Sequence, residues 1–228
     1  GHTINGISVD NTDKSVFIGS DEDVSNVTVR RLRAINSDYG IRIAGANDVT
    51  ISGVTITETT DNGAYITSSS DVVIRNSLIT NTTSGFSILS ATNTTIARTS
   101  INNTDAGITA ESDTTNLQVT ETIIDEARTG ISLSPYAYGN VPTNTTIDNT
   151  TIRDVNVGVA LESRADTTPA YDTLIRDTII TDVQRWSVYT EDDGRIKIEE
   201  VNSDYPTNIF SSLTAAGQSI ALKIISPS

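Results

Sequence analysis

The chain has 228 residues, with 29 acidic against 15 basic side chains, a formal net charge of −14, and neither cysteine nor methionine. Without cysteine there are no disulfides, thiol nucleophiles or thiolate metal sites, and no apolar run is long enough for a membrane span. A surface this negative repels nucleic acid and anionic membranes, so neither nucleic-acid binding nor membrane insertion is expected. Only Lys14, Lys197 and Lys223 are lysine and the acids are spread along the whole chain, which points to a halophilic source rather than to an acidic face that gathers cations.

Hydrophobic residues make up 36%, low for a globular chain, yet Ile and Val recur in regular columns that a disordered chain would lack. The leading coil already carries the pattern: Ile4, Ile7 and Val9 match Ile51, Val54 and Ile56, and Ser15 takes the place that glycine holds later. The leading end therefore has no cap, and either something precedes residue 1 in a parent protein or self-association buries that end. The clearest unit runs from Asp48 to Ile66, DVTISGVTITETTDNGAYI. An Asp or Asn leads in, apolar residues follow at alternating or triplet spacing, and a glycine precedes a short strand. Laid along the chain, this template puts the lead-in at Asn26, Asp48, Asp71, Asn93, Asn116, Asn144 and Asp172. The glycine falls at Gly40, Gly63, Gly85, Gly107, Gly130 and Gly158, in steps of 23, 22, 22, 23 and 28 residues.

A fixed period of this size with strand-like content is the mark of a solenoid. Frequent breaks and the lack of a helical period predict two or three strands of about three to five residues per coil, paired in parallel about 4.8 Å apart. Where early coils place Ile7, Leu32 and Val54, later ones place Ser77, Thr99, Thr122, Thr150 and Thr178, a predicted interior hydroxyl column bonding along the axis. The outward positions Leu78, Ser100, Ile123, Thr151 and Ile179 form a half-apolar stripe, either a second face for self-association or a flat exposed strand.

The repeats NDVTISGVTITETTDNGAYI and NTTIARTSINNTDAGI resemble the parallel β-helix repeats of the pectin-lyase-like superfamily, and within it the NosD-like periplasmic and surface proteins. The resemblance covers nearly the whole chain. It implies an all-β, single-stranded right-handed parallel β-helix of roughly nine coils of about 22 residues, and an extracellular or cell-surface location. One domain is expected over 1–228, with coils to about 194 and a last coil and cap over 195–228. The resemblance does not choose an activity, since the same architecture serves lyases, hydrolases, epimerases, adhesins and phage fibres.

Insertions at 134–144 and 162–172 lengthen two consecutive coils at one corner. They bring Tyr136, Tyr138 and Tyr171 together with Glu162, Arg164 and Asp166, and the next coil adds Arg185, Trp186 and Tyr189. Aromatic faces, both signs of charge and the longest loops in one region mark a candidate binding site. The ligand expected there is carbohydrate or a cell-surface glycoconjugate, with rings stacked on aromatics and hydroxyls bonded by Arg164, Asp166 and Arg185. Glu162, Asp166 and Asp172 are the candidate acids for glycoside hydrolysis. Calcium could sit at the same acids, but no spacing motif calls for it, so no metal or cofactor is assigned.

Other catalytic patterns fail on spacing. Asn11-Thr12-Asp13, Asp192-Asp193 and Arg195-Ile196-Lys197 match polygalacturonase segments in letters but lie on the wrong coils. Arg42 and Arg75 are outward candidates for a lyase base, without an acidic trio beside them. The only histidine is His2, a poor place for a general base. A non-catalytic binding module is the preferred reading, with a polysaccharide lyase or glycoside hydrolase and a structural spacer of a surface or viral fibre as alternatives.

Overall fold

A computed structural model describes residues 1–135, 140–162, 172–190, 195–203 and 222–225. All regular structure among them is β, wound into a parallel solenoid of about eight turns. The strands are β1 His2–Asn5, β2 Ser8–Arg30, β3 Arg33–Ser52, β4 Thr55–Thr67, β5 Ser70–Arg75, β6 Leu78–Leu89, β7 Thr92–Ala97 and β8 Ser100–Glu111. They continue as β9 Gln118–Thr120, β10 Ile123–Ser134, β11 Thr145–Asp148, β12 Thr151–Leu161, β13 Asp172–Thr190, β14 Arg195–Ser203 and β15 Leu222–Ile225. One wall stacks β4, β6, β8, β10 and β12, and another stacks β5, β7, β9 and β11. Both walls are joined through β3 and β13, which run round the corners.

Those strands are longer than the short segments expected from the sequence, up to 23 residues in β2. The ladder survives the corners because single residues in the left-handed region turn the chain without breaking its pairing with the next coil. Asn26, Asp48, Asp71, Asn93, Asn116 and Asn144 take φ of +52° to +57° at one corner, and Asn11, Asn36, Glu58, Asn81, Asn103, Glu126, Asp154 and Asp182 take +47° to +57° at another. Asn and Asp tolerate this conformation best among residues with a Cβ, which explains the lead-in residues. The asparagines are also tied to one another: Asn93 Nδ2 donates to Asp71 Oδ1 at 3.0 Å, Asn116 to Asn93 at 2.7 Å and Asn144 to Asn116 at 2.5 Å.

The recurrent glycine has a different duty. A Cβ on Gly107 would lie 2.5 Å from the Gly130 carbonyl oxygen and 2.6 Å from Ile124 Cγ2, and the same collision repeats from Gly40 to Gly158. From Gly40 to Gly158 the column is glycine because adjacent coils approach too closely there for a Cβ, and a left-handed turn is not the cause. Beneath it lie Ile56, Ile79, Ile101, Ile124, Ile152 and Ile180, all fully buried.

The hydroxyl column is present, and Ser77 Oγ accepts an axial bond from the Val54 backbone N–H at 3.4 Å, but the threonines do not bond along the axis as expected. Thr99, Thr122, Thr150 and Thr178 each donate to the carbonyl two residues earlier, at 2.7–3.1 Å. These hydroxyls are satisfied within their own coil, whereas the lead-in amides, with donor and acceptor on different atoms, bond to the next coil.

Two stability predictions follow from these columns. Gly107→Ala should cost about 1–3 kcal/mol through overpacking, while Gly53→Asn should be near neutral. Gly53 sits at φ +62° with nothing within 4 Å of its Cβ position, on the corner where Arg31 and Asn76 already adopt that conformation. Thr94 aligns with Val72 and Val49 and buries a hydroxyl with no partner, so Thr94→Val should stabilise by about 1 kcal/mol. Denaturant midpoints of the three variants check both.

Candidate functional site

The site begins with a fault in the register. Val155 and Val157 of β12 pair with Val183 and Trp186 of β13, so β13 holds one residue more. Such a bulge bends a strand and re-aims its side chains. Here it leaves Gln184 and Arg185 both exposed and delivers Trp186 and Tyr189 to the outer face, on either side of buried Ser187 and Val188. The two rings stand 6.2 Å apart between centroids and are tilted by 38°.

On the preceding coil their register partners are Val157 and Ala160, small or apolar residues that leave space beneath the rings. Arg128, Thr129, Asn156, Glu162 and Arg185 complete a pocket of about 290 Å³. That is near the lower limit for sites holding small organic ligands, enough for one or two sugar rings but not a folded partner. The Glu162 backbone N–H donates to the Leu133 carbonyl at 2.8 Å. This continues the ladder to the pocket rim and puts Glu162 on the same edge as Ser134 and Glu111, which are in register.

Of the residues expected from the sequence, Glu162, Arg185, Trp186 and Tyr189 are brought together here. Asp172 does not line the pocket; it opens β13 in register with Arg195. Tyr136, Tyr138, Arg164, Asp166 and Tyr171 lie outside the described residues, as do Asp192 and Asp193. Among the described residues no group of three or more His, Asp or Glu side chains could hold a metal ion. Asp13, read in letters as part of a catalytic segment, forms an ion pair with its neighbour Lys14. Sequence reading missed Arg128, Thr129, Asn156, Val157 and Ala160, which are unremarked residue types that only the coil register carries to the rings.

The family described as "Right handed beta helix region" matches residues 5–170. The chain belongs to the right-handed β-helix family. No curated protein matches it. Among solved structures it is similar to the alginate lyase from Paenibacillus sp. str. FPU-7, with 17% identity over 86% of this chain and 74% of that one and a TM-score of 0.61. It is similar to the catalytic unit of a thermostable GH87 α-1,3-glucanase from Streptomyces thermodiastaticus strain HF3-3, at 12% identity over 90% of this chain and 49% of that one, TM-score 0.57. A mutant tailspike protein of E. coli bacteriophage HK620 in complex with a hexasaccharide gives 10% identity over 90% of this chain and 45% of that one, TM-score 0.60. The β-helix thus spans about half the length, or less, of the glucanase unit and of the tailspike. At these identities the likeness is one of fold.

Within this β-helix the strand edge that ends at the pocket rim carries two carboxylates in unlike surroundings, of which Glu162 lines the pocket and Glu111 does not. Glu162 is exposed at the rim, whereas the Glu111 carboxyl is held above its usual value, first by burial and then by the negative charge of Glu162. Their coils are two rungs apart, about 10 Å along the axis. A raised carboxyl keeps its proton longer in the folded state. Its contribution to stability is complete below the ordinary carboxylate range and is lost as pH rises through the raised value. Glu111→Gln should therefore be more stable than the parent at neutral pH, with the gain vanishing in acid. Glu162→Gln should lower the Glu111 midpoint only in part, because burial is the larger cause. Thermal melts across pH and an NMR titration of the Glu111 carboxyl test the two statements.

Proposed function

We propose that this β-helix is a polysaccharide-binding module that seats sugar rings on Trp186 and Tyr189, with Arg128, Arg185, Asn156 and Glu162 bonding the substituents. The observation that carries the reading is the paired rings set by a bulge over a small-residue floor, ringed by groups able to donate and accept hydrogen bonds. Aromatic faces with a few placed polar groups suit rings that are apolar on one side and hydroxylated at the edge. Support comes also from fold neighbours named as an alginate lyase, an α-1,3-glucanase and a tailspike holding a hexasaccharide. An extracellular or cell-surface location, a salt-rich source and a NosD-like affiliation belong to the same proposal, motivated by the repeat type and the net charge of −14.

A second reading, a lyase or hydrolase, is favoured by one observation: the Glu111 carboxyl, raised by burial and by the Glu162 charge, stands two rungs from exposed Glu162, and acid and base chemistry uses carboxylates in such unlike surroundings. Trp186 is the only tryptophan in the chain, so intrinsic fluorescence reports this pocket directly. In a polysaccharide screen at high salt, a ligand should shift Trp186 emission. Tyr189→Ala should weaken binding by roughly thirtyfold, the effect of losing an anchor worth about 2 kcal/mol. Binding unchanged in Tyr189→Ala would overturn the pocket. Product release abolished by Glu162→Gln would move the assignment to the enzyme.

A further inference from the structure

We propose that Phe17, Tyr39, Arg42 and Tyr65 form a second sugar platform, which takes a carboxylated residue of the polysaccharide strand bound at the Trp186 pocket. The inference rests on the reading of that pocket as a sugar site, but its evidence is separate.

The first observation is register. Followed coil by coil, Tyr39 leads through Asn62, Ser84, Ala106, Thr129 and Val157 to Trp186. Tyr65 leads in the same way through Ser87, Thr109, Ser132 and Ala160 to Tyr189. The two aromatic clusters therefore stand on the same two columns of one face. Tyr65 and Tyr189 are five rungs apart, about 24 Å. Between them the two columns hold no ring and no charged side chain.

The second observation is the same construction at both ends. β4 has one residue more than either neighbour, since Thr59 and Asn62 pair with Ser37 and Tyr39 on one side and with Thr82 and Ser84 on the other. This bulge brings in Asp61, as the bulge of β13 brings in Arg185. Asp61 accepts a hydrogen bond from the Tyr39 hydroxyl and another from Asn62 Nδ2 at 2.9 Å. The Tyr39 phenol is accordingly pushed up to about 12, first by that hydrogen bond and then by burial and the Asp61 charge. Tyr39 and Tyr65 lie 5.9 Å apart between centroids at 48°.

The third observation selects the ligand. The Arg42 guanidinium lies 5.8 Å from the Phe17 ring centre, 5.9 Å from Tyr39 and 5.7 Å from Tyr65. Among the described residues it makes no ion pair and its buried Nε has no hydrogen-bond partner. Phe17, on the outer side, is 51% exposed. A planar fork with no ion pair among the described residues, framed by rings, matches a carboxylate carried on a sugar. Arg128 and Arg185 offer the same chemistry at the far end. The net charge of −14 opposes a polyanion at a distance, but that field is screened to about 3 Å in 1 M salt, which leaves the contacts at the arginines.

The test gives each end its own reporter. Wild-type Trp186 reports the pocket, and Tyr65→Trp in a Trp186→Phe background reports the platform. Oligogalacturonates and oligoguluronates of graded length are titrated in high salt, with xylo-oligosaccharides as the neutral control. The proposal expects the platform reporter to respond to the uronates and not to xylan fragments. Arg42→Gln should weaken that response at least tenfold, and Arg42→Lys should restore part of it. Uronates long enough to span both ends should bind wild type at least a hundredfold more tightly than short ones, and Arg42→Gln should abolish that advantage. A silent platform, an equal response to xylan, or a response indifferent to Arg42→Gln overturns the platform. If the platform responds while wild-type Trp186 stays silent, the platform stands and the pocket reading falls.

Discussion

Every feature of this molecule is subordinate to the backbone ladder between successive coils. Each coil lies one hydrogen bond from the next, so whatever stands at a position on one coil is met about 4.8 Å away by its counterpart on the next. That spacing decides residue types physically. Where coils come closest, a Cβ would strike a carbonyl oxygen at 2.5–2.7 Å, and the column from Gly40 to Gly130 is glycine. At the corner where the chain must turn without losing its pairing, left-handed residues are needed, and Asn93, Asn116 and Asn144 meet that need while bridging the rung with their amides.

The same constraint separates scaffold from site. A column that repeats is explained by stacking and requires no ligand. The places that call for another explanation are those where the ladder takes an extra residue, because a bulge gives up local pairing. On the long-strand wall, two such places lie in β4 and β13. Each is accompanied by a pair of aromatic rings and an arginine on the outer face, on columns that carry no other ring between the two places. Departure from the repeat, more than any motif, marks the two proposed sites of this chain.

The sequence disclosed the fold well, because period, lead-in residues and Ile columns are direct images of the ladder. It was less informative where geometry within a rung matters. The hydroxyls of Thr99, Thr122, Thr150 and Thr178 turn back to carbonyls of their own coil, while the lead-in amides bond to the next one. The recurrent glycine was legible by its period, while the carbonyl it approaches on the next coil was not. Of the candidate site, Glu162, Arg185, Trp186 and Tyr189 could be found by their concentration near the long insertions. Arg128, Asn156, Tyr39 and Tyr65 could not, because their relation to Trp186 and Tyr189 exists only in register. Laying the chain out in columns with the extra residues of β4 and β13 placed correctly would have exposed it.

The central claim is that one face carries rings at two places on common columns and that a sugar strand lies along it. A crystal structure of the chain grown with a uronate hexasaccharide tests this most directly. The account predicts sugar rings against Trp186 and Tyr189, with the strand running parallel to the solenoid axis toward Tyr65 and Arg42. Sugar seated on another face, or coils whose register separates Tyr65 from the Tyr189 column, would contradict it.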